Sequence, residues 1–136
     1  MKSRAEVYRR KDKKIAIIGT GGFATGDVLY ICNDVGYKQI VFLDPVNENP
    51  GQNELWGYPL LGEDAIQELE REGFKFVIAI GDNKYRQKYF FNHSKLEYTN
   101  VIHPSSSIGF IQSKFIDKTK GNIVAAGARF ANNIEF

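Results

Sequence analysis

"KKIAIIGTGGFATGDVLY", residues 13–30, decides how the chain is read. Residues 14–18 (KIAII) are almost wholly apolar and rich in β-branched side chains, the composition of a strand buried on both faces of a parallel sheet. Gly19 ends that run. From there Ala24, Val28, Ile31, Cys32 and Val35 recur at spacings of three and four, which predicts a helix with a single apolar stripe, stopped by Gly36. Between strand and helix, Gly19, Gly21 and Ala24 satisfy G-x-G-x-x-[GA]. Glycine there permits a sharp turn and a close backbone approach to phosphate, and the helix amides point at the anion. The same glycines would also serve tight strand–helix packing without any ligand.

Working outward, Gln39 to Leu43 (QIVFL) predicts a second strand ended by Asp44 and Pro45, completing a βαβ unit with a right-handed crossover. Residues 46–57, with Pro50, Gly51, Gly57 and three asparagines, read as an exposed loop. "GYPLLG", 57–62, reads as a short edge strand, and 63–72 as a brief helix with Ala65, Ile66 and Leu69 inward. A third buried strand is predicted over 75–80 (KFVIAI), stopping at Gly81. "DNKYRQKYFFNH" then reads as a helix with Asp82 near its N-terminus, where the dipole favours a carboxylate. The three strand exits, Gly19, Asp44 and Gly81, therefore share one carboxyl edge, where open α/β sheets bind ligands.

Composition narrows the function classes. The 136 residues are about one domain's worth, and the net charge of +2 comes mostly from the first fourteen positions (Lys2, Arg4, Arg9, Arg10, Lys11, Lys13, Lys14). Residues 1–13 read as a solvated basic arm, since no apolar segment of signal-peptide length follows Lys14. The near-neutral remainder offers no groove for nucleic acid, and no run approaches the roughly 18 apolar residues of a membrane span. The single cysteine, Cys32, excludes an internal disulfide and argues against a metal site, so a soluble cytoplasmic protein is the default.

After His103 the pattern changes. Ile102 and Ile108 are six apart, as are Val124, Phe130 and Phe136, with Gly127, Ala128 and Ala131 among the small residues between them. Six-residue apolar periodicity is the mark of a parallel β-helix, of which about one coil is present. Residues 114–123 break the register, and an irregular β-hairpin fits the periodicity equally well.

The ordered glycine loop and Asp44 point to a nucleotide ligand. Gly81 allows close approach, Asn83 both donates and accepts, and Arg86 lies one helical turn in. Asp82 and Asn83 as caps and Arg86 as a surface charge is the rival interpretation. An NAD-binding domain of the same fingerprint, and a non-catalytic binding or oligomerisation module, remain open at this level.

"IAIIGTGGFA", "IVFLD", "GYPLLG", "FVIAIGDNKYRQK", "NVIHPSSSI" and "GNIVAAGARFANN" occur in the order seen in bacterial sugar O-acyltransferases of the sialic acid O-acetyltransferase type. Over residues 14–136 the chain resembles most the PglD-like UDP-4-amino-sugar N-acetyltransferases. The resemblance implies an α/β fold: a Rossmann-like small parallel sheet with flanking helices over 14–103, followed by the start of a left-handed parallel β-helix over 104–136. It implies a UDP-linked amino sugar as ligand, acetyl-CoA as co-substrate, no tightly bound cofactor, and a homotrimer for the whole enzyme. Carried over by position, Gly19, Thr20, Gly21, Gly22 and Phe23 would face the pyrophosphate and sugar. Asp44 and Pro45 would lie by uracil and ribose, and Ile80, Gly81, Asp82, Asn83 and Arg86 would line the same cleft. Pro45 stands where relatives often place a second acid, and Phe23 where some place a polar or histidine side chain. The family's general base, a His-Asp or His-Glu pair, is expected about one coil beyond Phe136. No catalytic or metal-binding residue is therefore assigned: His93 is expected to end a surface helix and His103 to hold a structural hydrogen bond. The chain would bind the nucleotide sugar without transferring acetyl groups.

Overall fold

The computed structural model describes residues 13–108, 116–124 and 129–130. The basic arm and most of the six-residue repeats, Gly127, Ala128, Ala131 and Phe136 included, lie outside the described residues.

Strand β1 (Lys14–Ile18) is the centre of the molecule, with Ile15, Ala16, Ile17 and Ile18 all at 0% exposure. Its continuous apolar run makes sense because both faces of the sheet are covered. Ile15 and Ile17 pack with Ala24, Val28, Ile31 and Cys32 of helix α1 on one side. Ala16 and Ile18 pack with Ile66, Leu69 and Tyr89 on the other. Helix α1 runs from Phe23 to Val35: its first part, Phe23–Val28, is wound as a π-helix and Leu29–Val35 as an α-helix. Gly36 closes it in the left-handed conformation at φ 97°.

Strand β2 (Gln39–Leu43) lies parallel to β1 on one flank, and β5 (Lys75–Ile78) lies parallel on the other. Beyond β2 comes β4 (Tyr58–Leu61), parallel to it through Phe42–Leu60 and Leu43–Leu61. Outermost is β3 (Glu54–Leu55), antiparallel to β4, so the order is β3-β4-β2-β1-β5. Helix α2 begins with a 3₁₀ turn (Glu63–Ala65) and continues as Ile66–Arg71; helix α3 spans Asn83–Asn92.

Three expectations are corrected. The segment expected as an edge strand is an inner one, because β3 covers it. That strand falls inside the expected exposed loop, where Trp56 (φ 53°) and Gly57 (φ 85°) form a two-residue hairpin turn with both φ positive. Third, the strand expected to reach Ile80 ends at Ile78: Ala79 still donates to the Ile18 carbonyl at 2.8 Å, but the chain then turns away toward the cleft described below.

Past α3, β6 (Val101–Ile102) pairs parallel with β8 (Ile123–Val124), and β7 (Ser107–Ile108) with β9 (Arg129–Phe130). Each position pairs with the one 22 residues on, Val101 with Ile123 and Ser107 with Arg129. His103 ties this segment to α1. Its Nδ1 accepts the Ser105 amide at 3.0 Å, so the ring hydrogen sits on Nε2 and is donated to Asp34 at 2.6 Å. The ring also stacks on Tyr30 at 5.5 Å. The structural role expected for His103 matches this geometry.

Burial pushes the Cys32 thiol up to about 12, with Lys13 pulling the other way, and burial followed by Glu63 pushes the Tyr98 hydroxyl up to about 12. Above the unfolded values of 9.0 and 10.0 the unfolded chain loses these protons and the folded chain does not, so stability falls as pH rises. This contribution is complete below pH 9.0 and is lost toward about pH 12. We expect urea midpoints followed from neutral to alkaline pH to fall across that window. Cys32→Ala should make the fall visibly shallower while costing about 1 kcal/mol at neutral pH.

Candidate functional site

The chain leaves β1 at Gly19, which adopts φ 132°, a conformation that side chains rarely take. A Cβ here would sit 2.6 Å from the Ala79 carbonyl oxygen, so the exits of β1 and β5 touch through bare backbone. Gly21 and Gly22 differ: an added Cβ at either would meet nothing within 4 Å. Gly19 thus serves the fold, and Gly21 and Gly22 keep a surface open.

That surface floors a cleft of ≈ 640 Å³. The connections from β1 lead to β2 on one flank, while β5 lies on the other, so the cleft sits at the switch point of the sheet. Of the residues expected in the site, the structure brings Gly19, Thr20, Gly21, Gly22, Phe23, Pro45, Ile80, Gly81 and Asp82 to its lining. Asn83 and Arg86 do not line it. They face a second cavity of ≈ 470 Å³ with Phe90, Tyr98 and Lys120, where the Arg86 Nη2 donates to the Gly121 carbonyl at 3.3 Å. The reason is helical phase: they follow Asp82 onto the side of α3 that turns toward the C-terminal segment.

The two acids at the rim are committed to local structure. Asp44, buried at the end of β2, accepts from the backbone amides of Glu48 at 3.0 Å and Asn49 at 2.8 Å, and from the Asn49 side chain at 3.4 Å. It folds the 44–49 loop into the cleft wall rather than lining the cleft itself. Asp82 caps α3, accepting from Lys84 and Tyr85 amides at 2.9 and 3.1 Å. Thr20 bridges the glycine turn to the same loop, accepting from the Asn49 side chain at 3.2 Å.

Sequence reasoning missed the opposite wall. Glu63, Tyr85, Lys88, Tyr89, Asn92 and His93 line it. Tyr89 donates to Glu63 Oε1 at 2.9 Å, and His93 Nε2 lies 3.3 Å from Glu63 Oε2. His93 does end α3, yet its ring stacks on Tyr89 at 4.3 Å and belongs to this wall. Among the described residues no group of acidic, histidine and cysteine side chains is arranged to hold a metal. Nor is any helix among them long and apolar enough to cross a membrane.

The sequence profile of the PglD N-terminal domain matches residues 14–92. The chain belongs to that family. Solved structures resemble it as well. The acetyltransferase domain of PglB from Neisseria gonorrhoeae FA1090 is 26% identical, with a TM-score of 0.67 over 86% of this chain and 55% of that one. PerB from Caulobacter crescentus, in complex with CoA and GDP-perosamine, is 26% identical, with a TM-score of 0.63 over 87% of this chain and 54% of that one. The chain therefore spans about half the length of these structures. Comparison with curated protein sequences gives no match.

The glycine geometry yields a separable pair of outcomes. Gly19→Ala should lower stability by about 3 kcal/mol or more in urea unfolding, from backbone strain and the clash with Ala79. Gly21→Ala and Gly22→Ala should each stay within about 0.5 kcal/mol of wild type.

Proposed function

We propose that this chain is the nucleotide-sugar-binding part of an acetyl-CoA-dependent acetyltransferase that acts on a nucleotide-linked amino sugar in glycan or polysaccharide synthesis. The observation that carries this reading is the switch-point cleft over an open glycine turn, in a chain of the PglD N-terminal family. The amides of residues 20–22, just before α1, suit a diphosphate, and a cleft of ≈ 640 Å³ has room for what is attached to it. Gly19 to Phe23, Pro45 and Ile80 to Asp82 are the residues assigned to the ligand. Asp44 acts through the loop it holds, and Asn83 and Arg86 through α3.

Resemblance to the UDP-4-amino-sugar enzymes makes a uridine nucleotide one candidate. The GDP-perosamine complex of PerB makes a guanosine nucleotide another. The gonococcal domain solved with acetyl-CoA and PerB solved with CoA support acetyl-CoA as the acyl donor. In this reading residues 104–136 begin a left-handed β-helix that trimerises, and the enzyme is cytoplasmic. The parallel pairs at a constant 22-residue offset support the coil, since stacked rungs of a parallel β-helix align in this way. A general base must reach the proton that it removes. Neither His93 nor His103 stands at the position that the resemblance gives the general base, so acetyl transfer is assigned to no residue of this chain.

Ligand-induced stabilisation tests the reading, because a ligand that binds only the folded state raises the melting temperature with concentration. We expect a nucleoside diphosphate or its sugar conjugate to raise it and NADH not to. Gly21→Val should weaken nucleotide binding about tenfold or more while leaving the unfolding midpoint near wild type. A response to NADH with none to UDP, GDP or their sugar conjugates overturns the reading in favour of a dinucleotide-binding domain. No response to any nucleotide favours a binding or oligomerisation module.

A further inference from the structure

The far wall of the cleft carries a side chain whose position is set before any ligand arrives. Glu63 follows β4, and both of its carboxylate oxygens are engaged: Oε1 by the Tyr89 hydroxyl at 2.9 Å, Oε2 by His93 Nε2 at 3.3 Å. Stacking of His93 on Tyr89 at 4.3 Å braces the two partners against each other. Burial, and then the neighbouring Glu63, hold the Tyr89 hydroxyl well above its ordinary value, so it remains a proton donor at every pH of interest. The Glu63 side chain is nevertheless 37% exposed, and a carboxylate accepts about four hydrogen bonds, so two acceptor sites remain for the cleft.

Glu63 also stands at a useful distance. It lies just past the end of β4, two strands from β1 in the order β4-β2-β1. Strands are about 4.8 Å apart, which puts the β4 exit about 10 Å from the glycine turn, the span that a ribose and its base fill together beyond a diphosphate. Tyr85, at 58% exposure on the same wall, offers a ring on which a base can stack.

We propose that Glu63 reads the base edge of the nucleotide and selects guanine, so that the ligand is a guanosine-diphosphate-linked sugar; this rests on the nucleotide-sugar reading above. Guanine presents two adjacent donors, N1–H and the N2 amino group, which a carboxylate accepts in a fork of two charge-assisted hydrogen bonds. Uracil presents one N–H flanked by two carbonyls, and those carbonyls oppose the carboxylate. Adenine presents an amino group beside a ring acceptor, which also mismatches. A carboxylate with two acceptors side by side favours a base with two adjacent donors over a base that lacks them. Tyr89 and His93 are positioning residues: they hold the fork in place.

Isothermal titration of the whole chain with GDP, UDP and ADP tests the assignment. The expected order is GDP at least about tenfold tighter than either of the others. Glu63→Gln replaces the fork of two acceptors by one acceptor and one donor, which matches the N–H and a carbonyl of uracil. It should weaken GDP about tenfold or more, strengthen UDP, and still accept the Tyr89 hydroxyl, so its melting temperature should stay near wild type. Tyr89→Phe, which frees one carboxylate oxygen, should narrow the GDP-to-UDP ratio about threefold. UDP binding as tightly as GDP to the wild-type chain overturns the guanine assignment and leaves the nucleotide reading standing. Binding of none of the three overturns both. If Glu63→Gln does not fold, the wild-type order of the three nucleotides decides.

Discussion

The contact on which the rest depends is the approach of Gly19 to the Ala79 carbonyl. It brings the exits of β1 and β5 together with no side chain between them. Gly19 also donates from its amide to the Leu43 carbonyl at 2.9 Å, so one residue joins the carboxyl ends of the three central strands. Any side chain there separates β1 from β5 at the point where both ends must converge. The cleft exists because that convergence leaves a shallow floor of backbone, with the 44–49 loop raised on one side and α3 on the other. The positive φ and the 2.6 Å approach make the demand steric, before any ligand chemistry is invoked.

A division of labour follows between backbone and carboxylates. Asp44 and Asp82 are close to the floor in sequence and in space, yet each is satisfied by main-chain amides of its own loop or helix. They shape the walls while the turn presents amides. Glu63, which also lines the cleft, follows the end of β4 and is held by side chains of α3 instead.

How much of this was legible depended on whether the signal is local. The strand at 14–18, the stripe from Ala24 to Val35, the stop at Gly36 and the cap at Asp82 are all set by neighbours within a few residues, and the structure shows each of them. The Trp56–Gly57 turn was missed because hairpins of its kind usually announce themselves as Asn-Gly or Asp-Gly, and tryptophan at positive φ gives no such warning. Strand β3 was lost with it. The π-wound opening of α1 has no sequence signature of its own. The Glu63–Tyr89–His93 cluster joins positions 26 residues apart across the sheet edge, so no spacing rule reaches it. Tyr89 and His93 are one turn apart on α3, a hint of a shared face, but the partner that gives the face meaning comes from elsewhere.

The same distinction explains His103, whose neighbours suggested only a structural hydrogen bond and whose partner Asp34 is 69 residues away. Because the Ser105 amide occupies Nδ1, the tautomer is dictated and the bond to Asp34 runs in one direction. Asp34 lies on the last turn of α1, whose first residues border the cleft. Arg86, on the helix that forms the other wall, reaches the Gly121 carbonyl. The two helices that frame the cleft are thus each tied by a charged or polar side chain to the segment that follows the sheet. Opening the cleft by moving either helix would have to drag that segment along or break a tie. Pairing at β6–β8 sits directly beside both ties, with His103 donating its own amide to the Val124 carbonyl at 2.9 Å. The orientation of the C-terminal segment is therefore set by the same two helices that frame the cleft.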